Sequence, residues 1–65
     1  MMNNQEIKDA LSCELEILRA SRERLSKIAE ETESSKLGRE VAEGALKLTM
    51  DISHIQKVKE NIVLA

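Results

Sequence analysis

Apolar residues recur at alternating steps of three and four in each half of this chain, and the two stripes oppose one another when the chain is folded back on itself. The first reads Ile7, Leu11, Glu14, Leu18, Ser21, Leu25, Ile28; the second reads Val41, Ala45, Leu48, Ile52, Ile55, Lys59, Ile62. Steps of three and four keep residues on one side of an α-helix. A fold between Ser34 and Ser35 pairs Ile28 with Val41, Leu25 with Ala45, Ser21 with Leu48, Leu18 with Ile52, Glu14 with Ile55, Leu11 with Lys59 and Ile7 with Ile62. That fold point falls in Thr32-Glu33-Ser34-Ser35-Lys36, the most polar and least periodic stretch. The pattern predicts one all-α domain, an antiparallel, coiled-coil-like two-helix hairpin. Its helices should cover about residues 4–32 and 36–63, with the turn at about 33–35.

A single continuous helix fits the pattern less well. Continued past the turn, the Leu11/Leu18/Leu25 row would run through Thr32, Arg39, Leu46, Ser53 and Glu60, which is no apolar seam. Local signals agree with the hairpin. Asn3 is a good N-cap with Glu6 placed for a capping box, and Asp9 lies near the positive end of the dipole. From Ile7 to Ala29 there is no Gly or Pro, and Glu23 with Lys27 forms a favourable pair four residues apart. Ser34 or Ser35 can cap the second helix. Gly38 lies near its start and Gly44 inside it, where a glycine costs up to about 1 kcal/mol relative to Ala. Gly44 is therefore either a point of close approach to another helix or a tolerated weak spot.

Sixty-five residues without Phe, Tyr or Trp allow only a thin aliphatic core. Small scaffolds of this kind usually need a staple or a partner, so the hairpin is expected to be completed by oligomerisation or by another protein. A second apolar line supplies a candidate interface. Ala10, Cys13, Ile17 and Ala20 lie a quarter-turn or more from the predicted seam, and Leu46 with Met50 forms a weaker counterpart on the second helix. The expected occupant is another helical protein, either a chaperone or a second copy of the chain. Three polar residues interrupt the main seam. Glu14 and Lys59 fall in adjacent layers, so they either bridge or leave Glu14 in water while Lys59 snorkels; Ser21 is the third.

Ten Lys+Arg against twelve Asp+Glu leave a net charge of −2, which gives no general attraction to nucleic acid or to an anionic membrane surface. The lone Cys13 cannot close an intramolecular disulfide, and the polar, acidic start resembles no signal or transit peptide. The longest apolar run, Ile62-Val63-Leu64-Ala65, is far too short for a membrane span. A soluble, cytoplasmic protein is expected. Catalysis finds little support: His54 is the only histidine, Asp51 is one turn before it, and Cys13 belongs to the other helix. No metal-ligand spacing or phosphate-binding loop occurs, so no enzymatic activity, cofactor, metal or small-molecule substrate is expected.

Ser12-Cys13-Glu14-Leu15-Glu16 resembles the Ser-x-Glu-Leu-Asp signature of helical-hairpin phosphatases acting on sporulation regulators, with two departures: it is on the first helix, and Glu16 replaces the essential Asp. The whole-chain pattern, a 65-residue acidic hairpin with near-equal helices and surplus apolar faces, more closely resembles the small co-chaperones of the type III secretion needle subunit (YscE/PscE type). That resemblance implies a non-enzymatic hairpin that stabilises a helical-repeat chaperone, which holds the needle subunit unpolymerised in the cytoplasm; it transfers no individual residue. Rop-type hairpins, which dimerise into four-helix bundles and bind paired RNA loops, offer a third likeness, although this chain has no aromatics and no clear basic face.

Overall fold

The computed structural model describes residues 1–64; Ala65, the last residue of the closing apolar run, lies outside the described residues. It contains two α-helices, α1 (Asn4–Glu31) and α2 (Ser35–Glu60), which pack antiparallel along their length. The chain is an all-α helical hairpin.

Local chemistry sets the ends. The Asn3 side chain accepts from the Glu6 N–H at 2.8 Å, and Glu6 Oε1 accepts from the Asn3 N–H at 3.4 Å, completing the capping box. Helix α1 stops where Thr32 turns extended, its hydroxyl donating back to the Ile28 carbonyl. Ser34 caps α2: its Oγ accepts from the Leu37 N–H at 3.3 Å. Helix α2 ends at Glu60, before the Val63 reached by the sequence pattern. The Asn61 N–H is shared between the Lys57 and Val58 carbonyls, the Ile62 N–H donates to the Lys59 carbonyl, and the Asn4 side chain donates to the Val63 carbonyl at 3.1 Å. The tail is thus drawn across the start of α1 instead of continuing the helix.

The core is three residues, Leu15 (1% exposed), Ala45 (8%) and Ile52 (7%), flanked by half-buried neighbours. On α2 the seam matches the sequence stripe: Val41, Leu48, Ile55, Lys59 and Ile62 are half-buried around Ala45 and Ile52. On α1 it does not. Leu11, Leu18 and Leu25 face the partner helix as expected, but the accompanying row is Lys8, Leu15, Arg22 and Ala29. Of the row the periodicity favoured, Glu14 and Ile28 are exposed, while Ile7 and Ser21 stay half-buried at the margin. A one-residue change in one of two rows turns the buried face by about 50° at 100° per residue.

The physical reasons are specific. Sealing Glu14 into the seam would strip water from a carboxylate, whereas Leu15 in its place contributes about 1.5–3 kcal/mol of burial. Lys8 and Arg22 cover the seam with alkyl stems and keep their charges wet, and half-buried Lys59 does the same from α2. Near the turn the helices approach closely where Ala29 meets Gly38. A Cβ built on Gly38 would lie 3.2 Å from the Ala29 carbonyl oxygen and 3.8 Å from the Thr32 Cβ. Gly44 is different, since a Cβ there would meet Leu25 Cδ1 at an ordinary 3.8 Å. Within the hairpin, the close approach belongs to Gly38, and Gly44 is the weak spot.

Candidate interaction surface

The hairpin is a rod measuring 51 × 16 × 14 Å. Its accessible surface, 5196 Å², exceeds the roughly 4,200 Å² exposed by a compact monomer of 7.3 kDa. Large apolar side chains contribute to it. Ile17, Ile28, Leu37, Leu46, Met50 and Val58 are all more than two-fifths exposed on the helices.

The rotated seam decides where these residues point. Ala10, Cys13, Ile17 and Ala20 are all exposed, and they lie about 160° around α1 from the true seam, on the outer side of the rod. Leu46 (63% exposed) and Met50 (66%) lie on the outer side of α2. Residues opposite a shared seam point away from one another, so the two sets occupy opposite edges of the hairpin. One flat partner cannot cover both.

Between those edges are two flanks of unlike chemistry. One is polar: Arg19 Nη2 donates to Gln56 Oε1 and Arg22 Nη1 donates to Thr49 Oγ1, each at 3.4 Å, so these side chains bridge the helices. The other flank carries Ile7, Ser21 and Ile28 of α1 beside Leu37, Gly44 and Val58 of α2, backed by the half-buried Leu18, Leu25, Val41 and Leu48. This flank is the displaced half of the sequence stripe, left in water because Leu15 took the seam. The periodicity places Ile7, Ser21 and Ile28 in the hairpin's own core and so does not offer them as a partner surface. The signal was nonetheless present in the excess of apolar positions on α1.

Charges stud the apolar flank. Glu14 and Asp51 are exposed about one turn apart along the rod; Lys47 is exposed one turn from Asp51, and Arg24 nearly three turns from Glu14, both nearer the turn. Arg24 Nη2 donates to Ser21 Oγ at 3.1 Å, which lays the guanidinium over the flank. His54 and Asp51 are exposed on α2, Cys13 is a free exposed thiol on α1, and no cluster of three or more His, Cys, Asp or Glu suited to a metal ion occurs among the described residues. The Ser12 hydroxyl donates to the Lys8 carbonyl at 3.0 Å, and Leu15 is the core residue, so two members of the phosphatase-like signature serve the helix and its packing. A shallow concavity at the open end is lined by Asn3, Asn4, Gln5, Val63 and Leu64. Among the described residues no helix is long and apolar enough to cross a membrane. In comparison with known proteins, no family model, curated protein or solved structure matches the chain.

Proposed function

We propose that this chain is a non-enzymatic protein–protein interaction module, a helical hairpin completed by another helical element and working in the cytoplasm as a co-chaperone or adaptor. The observation that carries the reading is the mismatch between core and surface: three buried residues hold the hairpin while at least six large apolar side chains along its helices remain in water. Such surplus marks a docking surface in a soluble protein. The resemblance in length and pattern to needle-subunit co-chaperones gives the role its specific form, stabilisation of a type III secretion chaperone and its needle subunit.

Capture by the tagged chain from its native cytosol, quantified by mass spectrometry, tests this. Ile17 is the large apolar residue on the outer line of α1, and an unpaired carboxylate buried there costs several kcal/mol. The Ile17→Asp variant should recover at least about tenfold less of a partner docked on that outer line, while Glu23→Ala, on exposed surface, should recover it unchanged. A chain that captures nothing, and does not bind itself, would refute the module.

A further inference from the structure

We propose that the apolar flank of the hairpin binds a second copy of the chain, related by a two-fold axis perpendicular to the rod, so that α1 lies antiparallel on α1 and α2 on α2. The proposal rests on the interaction-module reading and names its partner.

Area is the first argument. A flank 51 Å long and about 16 Å wide presents on the order of 800 Å², the per-partner area of a standard stable interface. Half-buried Leu18 and Leu48 supply its centre, and Ser21 is small enough for another helix to approach.

Charge selects the orientation. On α1, Glu14 and Arg24 are symmetric about residue 19; on α2, Asp51 and Lys47 are symmetric about residue 49. The hairpin register sets residue 49 beside residues 20 and 21, so the two centres lie within about 3 Å along the rod at 1.5 Å per residue. A perpendicular two-fold through that level brings Glu14 to Arg24 of the second copy and Asp51 to Lys47 of the second copy. Four ion pairs form across the dimer. The remaining carboxylates at the margin, Glu31 and Glu40, meet the uncharged Ile7 and Val58 near the ends. The other two-fold, parallel to the rod, keeps levels equal and crosses α1 over α2. It would set Arg24 against Lys47, like charge on like, and leave Glu14 beside the uncharged Ile55 and Gln56. An isologous interface must be self-complementary, and only the antiparallel form is.

Sedimentation of the purified full chain tests the pairing, with circular dichroism confirming helicity for each variant. The wild-type chain should be a dimer. Glu14→Lys should weaken dimerisation about tenfold or more, since two attractive pairs become repulsive, and Arg24→Glu should do the same. Mixing the two variants should restore wild-type affinity as a heterodimer, because each copy then meets its opposite charge at both positions. Tighter dimerisation by Arg24→Glu, or dimerisation by Glu14→Lys as tight as wild type, would indicate the parallel two-fold and overturn the proposal. Losses that mixing does not recover would overturn it as well. A purified chain that stays monomeric yet is held by a different protein refutes self-pairing while leaving the interaction module standing.

Discussion

Leu15→Ala should leave the chain largely unfolded at room temperature. Leu15 is the most buried residue of the hairpin, at 1% exposure, and its removal takes away transfer energy and leaves a cavity between two helices that bury only Ala45 and Ile52 besides it. Leucine-to-alanine changes in cores cost about 2–5 kcal/mol. A 65-residue domain at ordinary stability per residue has only about 3–10 kcal/mol in total. The helical ellipticity should therefore fall, and any residual urea midpoint should move sharply down. The neighbouring Glu14→Ala should shift the midpoint far less, because Glu14 is exposed and its loss removes charge at the rim without opening the core. The reverse ranking would mean that the seam runs through Glu14.

The two glycines should respond in opposite directions. At Gly38 the obstacle to a side chain is the backbone carbonyl of Ala29, 3.2 Å from the Cβ position, and a carbonyl held in α1 cannot swing aside as a flexible side chain does. Gly38→Val adds two further methyl groups at this contact and should destabilise by about 1–3 kcal/mol, the usual cost of overpacking. Gly44→Ala removes a helix-interior glycine and places the new methyl in ordinary contact with Leu25, so it should stabilise by about 0.5–1 kcal/mol. Thermal melts of the two variants at one protein concentration compare them directly. Equal tolerance at both sites would contradict the close approach at the turn.

What could be read from the sequence divides by element. The antiparallel hairpin, the Asn3 capping box and the apolar stripe of α2 followed from periodicity and local capping rules; Gly38, Gly44 and Gln56, half-buried beside that stripe, did not. Helix α1 carries too many apolar residues for one seam. Ile7 and Ile28, large and evenly spaced with Leu11, Leu18 and Leu25, outweighed Leu15 and Ala29 in the pattern. Tertiary contact reversed that ranking: Gly38 and Ala29 bring the backbones together near the turn. Arg22 and Lys8, which no polarity pattern places at a seam, fit there through their alkyl stems. The candidate interface residues on α1 and α2 emerged as exposed, as a partner surface requires, but the turned seam sets them on opposite edges and opens the flank between them.

The account's central claim is that this hairpin is completed by association. Thermal unfolding of the purified chain across a hundredfold range of concentration tests it most directly. A state stabilised by a bound partner melts higher as that partner becomes more abundant. The predicted result is an incompletely helical chain at the lowest concentration and a melting temperature that climbs as concentration rises. A fully folded, cooperative monomer with one melting temperature throughout the range would contradict the account.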